Sequence, residues 1–274
     1  MKQRSRPRSA MTVYLVFIGA FLLLPQLIVV VVAFSTSNFV SFPPSGYSFG
    51  WFEKVLSDSN FMQPLWNSIV LGVQAAMVAA LLAVPAAIAL VRHRFRGARA
   101  MQAFLLSPLS LPALILAIGL LFFLSRIGLG NTYAGLLIGH VVIVLPYLVR
   151  TIVAVYSTCD PRLEEAAYTL GANPISTLWQ VTLPMLRPAL FAGGIFAFLI
   201  SFDEVAVALL LANANSITLP VSILTYLVYN YDPAVAAISV LKMVIVVIAL
   251  MLTDRFFGLE NLTMPANREA KSNG

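Results

Sequence analysis

Six apolar runs, each long enough to cross a lipid bilayer, constrain this chain more than any other feature. They cover residues 11–34, 65–91, 101–124, 133–156, 189–212 and 234–253. A helix needs about 20 apolar residues to cross the roughly 30 Å hydrocarbon core. Each run must be helical, because an open strand in lipid leaves its amides without partners. Composition agrees, with 60% of the 274 residues hydrophobic and 10% charged. Soluble domains carry about 25% charged residues, and a soluble globule keeps too much surface in water to hide this much apolar area. The expected fold is an all-α membrane protein of six transmembrane helices. It forms a single domain over residues 11–253, between a basic tail at 1–10 and a second tail at 254–274.

Lys2, Arg4, Arg6 and Arg8 precede the first run, as they would in a secretion signal. The run extends over about 24 residues, against 7–15 for the apolar part of a signal, so it reads as a retained signal anchor. Lys and Arg also set the orientation. Arg92, Arg94, Arg96 and Arg99 lie between runs two and three. Arg150, Arg162 and Arg187 flank or occupy the segment between runs four and five, and Arg255, Arg268 and Lys271 follow run six. The alternate loops hold only Lys54 and Arg126. Basic loops stay in the cytoplasm, which puts both termini there and makes the protein a multi-pass component of a bacterial inner membrane. The formal charge of +6 is no sign of nucleic-acid binding, because the basic residues lie between apolar runs and not on one face of a soluble module. Cys159 is the single cysteine, so no internal disulfide can form. Pro25, Pro85, Pro108, Pro112 and Pro146 fall within or at the ends of runs, where a missing amide donor kinks a helix.

The segment between runs four and five, residues 157–188, is longer than its neighbours and patterned. Asp160 or Pro161 opens a short helix with Glu164 and Glu165 in its first turns, where the helix dipole favours acids. Gly171 supplies a left-handed end. Pro174 opens a second helix whose apolar face holds Ile175, Leu178, Trp179 and Val181. Such a face beside a membrane needs the bilayer surface or a partner protein to cover it.

This segment resembles the EAA loop of binding-protein-dependent ABC importer permeases. Glu165-Ala166-Ala167, three residues, Gly171, nine residues, then Val181-Thr182-Leu183-Pro184 reproduces the family pattern, with Val181 in place of Ile. Phe49-Gly50-Trp51-Phe52, Trp66-Asn67-Ser68, Pro108 and Pro112 also look like these permeases. Ser201-Phe202-Asp203-Glu204, Leu219-Pro220-Val221 and Asp232-Pro233 resemble the spermidine/putrescine subgroup. The resemblance implies a cytoplasmic coupling loop in which Glu165, Ala166, Ala167, Gly171, Leu183 and Pro184 contact an ATP-hydrolysing subunit. Glu165 would pair with a basic group there and Gly171 would form the corner. It also implies the partners: a dimer of cytoplasmic ATP-binding subunits, a second permease subunit (a heterodimer, or a homodimer), an extracytoplasmic solute-binding protein, and lipid.

The chain lacks the phosphate-cradling G-x-x-x-x-G-K-[ST] and any H-E-x-x-H or G-x-S-x-G. It is therefore expected to be a transport subunit, not an enzyme, with no catalytic residues, metal or cofactor of its own. ATP hydrolysis is expected on a separate chain.

Three ionisable residues fall inside runs. Asp203 and Glu204 lie roughly 21 Å into run five at 1.5 Å per residue, and Lys242 about 12 Å from the outer end of run six. A charge at mid-bilayer costs at least about 2.5–3.5 kcal/mol, so these residues either line the pathway or neutralise one another. The expectation is that Lys242 faces Glu204 while Asp203 faces the pathway. Both acids suit a polyamine-like solute. The net charge left by two acids and one lysine also suits a zwitterion such as an amino-acid derivative, an aminobutyrate or an opine. His140, in run four, reads as an interhelical hydrogen-bonding contact. Two other classes compete. A stand-alone channel or secondary transporter explains the spans but not the 157–188 segment, and a membrane enzyme finds no catalytic set.

Overall fold

The computed structural model describes residues 8–93 and 95–257. The expectations for Lys2, Arg4, Arg6, Arg94, Arg268 and Lys271, and for nearly all of the 254–274 tail, lie outside the described residues. Twelve α-helices follow one another among the described residues, with no sheet beyond one isolated antiparallel bridge, Ser35 to Tyr47. They are α1 (Arg8–Ala33), α2 (Gly50–Ser57), α3 (Ser59–Arg92), α4 (Ala98–Leu106), α5 (Ala113–Arg126), α6 (Tyr133–Tyr156), α7 (Arg162–Thr169), α8 (Pro174–Thr177), α9 (Leu183–Asp203), α10 (Ala206–Leu211), α11 (Leu219–Tyr229) and α12 (Ala234–Phe257). Five continuous helical stretches are long and apolar enough to cross a membrane: Met11–Ala33, Ser59–Arg92, Tyr133–Tyr156, Pro174–Asp203 and Ala234–Thr253.

The expected third span is not one straight helix. Ala98–Ser110 and Ala113–Arg126 meet at 109°. Ser107–Ser110 tightens into a 3-10 turn, and Leu111 turns extended, with φ −98° and ψ 139°. Both prolines of that run lie at the break. A residue before proline is pushed out of the helical region, and proline itself brings no amide donor. The fifth run also differs from its expected bounds. Its helix is already under way at Pro174 and stops at Asp203. Glu204 is extended, with φ −72° and ψ 123°, and the rest of the run becomes α10.

The chain forms two compact units. One comprises residues up to Gln63 together with Ile223–Ile245. In it the segment after α1 folds back, with Thr36 N donating to Gly46 O at 3.1 Å and Ser48 N to Phe34 O at 2.7 Å. Phe34 packs edge-on to Phe49 at 5.2 Å between centroids and against Phe52 at 4.9 Å, contacts worth about 0.5–1.5 kcal/mol each beyond burial. Lys54 pairs with Asp232 at 2.9 Å. Tyr226 OH donates to the same carboxylate, at 2.8 Å to Oδ2.

The other unit, Pro64–Ser222 with residues from Val246 on, holds the packed core. Ala75, Ala79, Ala83 and Ala87 recur every fourth residue of α3, all fully buried. They belong to one cluster with Val144, Leu148, Ile152 and Tyr156 of α6 and Leu186, Ala189 and Ala197 of α9. Small side chains in register let helix backbones approach closely, which drives association where lipid offers no hydrophobic gain. A second cluster joins Leu71, Ala117, Leu124, Leu136, Val207 and Leu211. Half of the most apolar window of α6 is buried within the chain, against 6% for α1. α6 is therefore the central helix of this unit, and α1 turns almost all of its apolar surface outward.

Candidate functional site

The 157–188 segment is built from local signals at each corner. Asp160 Oδ1 accepts from Arg162 N at 2.9 Å as α7 begins. At its far end Gly171 takes φ +88°, with Gly171 N donating to Tyr168 O and Ala172 N to Ala167 O, both at 3.0 Å. That pair of bonds is a Schellman end, which requires a left-handed residue. A Cβ at Gly171 would meet nothing within 4 Å, so backbone conformation and not space selects glycine. Asn173 Oδ1 then accepts from Ser176 N at 2.8 Å, with Pro174 in the first turn. α8 continues through a wide π-type turn, Leu178–Thr182, into α9 without a break. The second loop helix and the fifth span are thus one helical run.

The inner side of this segment holds a polar knot. Glu164 is buried at 8% exposure. Its Oε2 accepts from Arg92 Nε at 2.7 Å, and its Oε1 accepts from Tyr156 OH at 2.7 Å and from Thr182 Oγ1 at 2.6 Å. The Arg92 guanidinium lies 4.2 Å over the Tyr156 ring and donates to Cys159 O at 3.3 Å. Burial pushes the Glu164 carboxyl upward, but the bonds from Thr182, Tyr156 and Arg92 outweigh it and hold the group below the usual carboxylate range. Burial pushes the Cys159 thiol above its ordinary value, while the nearby Arg92 charge pulls the other way.

The outer side is apolar and open. Leu170 is 88% exposed, Ile175 71% and Trp179 68%, with Leu163 and Tyr168 near half. Glu165, Ala166 and Gly171 are exposed beside them. Exposed apolar residues gathered on one short segment mark an interaction surface. Ala167 is half-buried, as are Leu183 and Pro184 at the start of α9.

Of the other candidates, Asp203 is exposed at the last turn of α9. Glu204 Oε1 accepts from Ala206 N at 2.9 Å and Val207 N at 3.2 Å. It thereby caps α10, where amides of a first turn lack intrahelical partners. Lys242 lies in α12 and belongs to the first unit, whereas both acids belong to the second. His140 is fully buried, with Nδ1 2.7 Å from Ser201 Oγ across α6 and α9, the interhelical contact expected of it. No group of three or more His, Cys, Asp or Glu gathers as a metal site among the described residues.

The family resemblance singles out Glu165 and gives no role to the knot of Glu164, Arg92, Tyr156 and Thr182. A signal for them exists: two acids in succession at the head of a short helix, with an arginine closing an apolar run. That arginine also serves the positive-inside pattern, which hides its second use.

The sequence profile described as "Binding-protein-dependent transport system inner membrane component" matches residues 75–257. The spermidine/putrescine transport system permease protein PotC of Haemophilus influenzae is 29% identical over 246 residues, 88% of this chain and 95% of that protein. The molybdenum transport system permease protein ModB of Mycobacterium bovis is 32% identical over 213 residues, 72% of this chain and 79% of that one. Among solved structures, a bacterial ABC transporter involved in import of the acidic polysaccharide alginate superposes with a TM-score of 0.75. It has 23% identity and covers 94% of this chain and 100% of that one.

Proposed function

The chain belongs to the family of binding-protein-dependent transport system inner membrane components, a transport component and not an enzyme, and on that premise we propose that it forms the translocation pathway of an ABC importer for a small amine-bearing solute. One observation carries the coupling half of this reading. The 157–188 segment turns Glu165 and the apolar residues around Gly171 outward on a loop whose opposite side is tied down by Glu164. Such a surface suits the cleft of an ATP-hydrolysing subunit. A dimer of those subunits, a second permease chain and an extracytoplasmic solute-binding protein complete the transporter, with both termini of this chain in the cytoplasm.

Family membership does not carry the substrate, since one relative is named for molybdenum and a structural neighbour for an acidic polysaccharide. Two features favour an amine: the similarity to PotC over most of both chains, and the adjacent Asp203 and Glu204. Asp203 is proposed as the acid that meets the solute, and Lys242 as the charge that offsets one acid of the spans. The test is uptake of radiolabelled putrescine by proteoliposomes holding the assembled transporter and its solute-binding protein. ATP-dependent uptake that spermidine competes with, and that Asp203→Asn lowers about tenfold, is expected. Uptake that persists without the ATP-hydrolysing subunit would point to a stand-alone channel or secondary transporter. Competition by an aminobutyrate or an opine, and not by spermidine, would replace the polyamine with a zwitterion. Lys242→Met is expected to lower uptake and Glu204→Gln to restore it.

A further inference from the structure

Two glutamates stand in succession at the head of α7, and the fold sends them opposite ways. Glu165, which matches the family motif, is exposed; Glu164 is buried. The buried one gathers three other parts of the second unit on a single carboxylate: Arg92 at the end of α3, Tyr156 at the end of α6, and Thr182 in the turn entering α9. Arg92 is itself fixed by the Tyr156 ring and the Cys159 carbonyl. Bonds between ionised partners at this length are about twice as strong as neutral ones and define a direction as well as a distance. A short helix seated on a moving partner follows that partner. What passes the displacement onward is whatever ties the helix rigidly to the spans.

The geometry points to Glu164, not Glu165, as the positioning residue that carries the loop's movement into the spans, with Arg92 as its receiver on α3. The inference deepens the coupling reading above and rests on it. Glu165 and the exposed apolar residues receive the partner, and Glu164 transmits.

The test places spin labels at Thr169→Cys on the loop and Met77→Cys on α3, both exposed positions, in a Cys159→Ser background of the assembled transporter. The label-to-label distance is measured without nucleotide and with ATP trapped. With Glu164 in place, loop and α3 move as one and the distance distribution does not change with ATP. With Glu164→Gln it shifts or broadens on ATP, and putrescine uptake falls about tenfold while association of the ATP-hydrolysing subunit changes less than about twofold. Arg92→Lys, which keeps the charge, is expected to restore much of the coupling that Arg92→Gln loses. Should Glu164→Gln fail to insert, Thr182→Val and Tyr156→Phe each remove one of the bonds and take its place with the same readout. Variants whose distance stays fixed with ATP overturn the inference, as does an unmutated Glu164 background whose distance shifts. Failure of the coupling reading shows elsewhere: Glu165→Lys would then leave subunit association and ATP hydrolysis unchanged.

Discussion

Gly171 and Glu164 illustrate two ways in which one residue matters. Gly171 is needed for its backbone, at φ +88° with open space around its missing Cβ. An L-residue held left-handed costs about 1–2 kcal/mol, with asparagine paying least. Gly171→Asn is therefore expected to keep most ATP-driven uptake and Gly171→Val to lose it, though both insert; equal uptake in the two would show that the corner is not required. Glu164 is needed for its charge. Its carboxyl is held below the ordinary value of about 4.3, so the folded state binds its proton less readily than the unfolded chain. That contribution is fully present above the unfolded value and is lost as pH falls through the folded one. Thermal unfolding in detergent, followed by tryptophan fluorescence, should give a Tm independent of this group between about pH 6 and 8 and falling below about pH 4. Glu164→Gln should have a lower Tm at neutral pH and a shallower acid decline.

At the scale of elements, both departures from straight spans have local causes. The 109° bend between α4 with its 3-10 turn and α5 falls where Pro108 and Pro112 withhold donors four residues apart. The break after α9 falls at Glu204, whose side chain supplies the acceptor that α10's first turn lacks. Loss of a capping side chain costs about 0.5–2 kcal/mol, so Glu204→Ala is expected to lower thermal stability by an amount in that range, and Glu204→Gln, which keeps an acceptor oxygen, by less. Equal stability of Glu204→Ala and the parent would remove the cap as the reason for the break. The bend has its warning in the prolines. The break does not, because Val205–Leu211 is as apolar as the helix before it and the periodicity runs across the interruption without a change.

For the whole molecule, the test is topology. A reporter fused after Gly274 is expected to read cytoplasmic and one inserted at Ser45 external. An external C-terminus would move the 157–188 segment to the wrong side for any ATP-hydrolysing partner. The two units differ in what holds them. In the first, a short folded-back segment closes with an aromatic trio and the Lys54–Asp232 pair, in which the Asp232 carboxylate, chiefly through its hydrogen bond, raises the lysine's pKa. The pair is half-exposed on its lysine side, and pairs of this kind contribute little to stability, so Lys54→Met should leave insertion unchanged. In the second, alanines spaced four apart on α3 share a buried cluster with α6 and α9.

That this chain crosses a membrane, about how often, and where its one patterned loop turns were all legible in the order of its residues. Each of those follows from properties that act locally: the length of an apolar run, the dihedral a glycine allows, the donor a proline lacks. Tertiary structure alone decided the rest. Arg92 and Glu164 are 72 residues apart in sequence and meet only because the ends of α3, α6 and α7 are brought together by packing between helices. A charge in the sequence carries no mark of whether its partner will be water, a lipid headgroup or another side chain. Here that choice separates two adjacent glutamates, one exposed and one buried against Arg92, Tyr156 and Thr182.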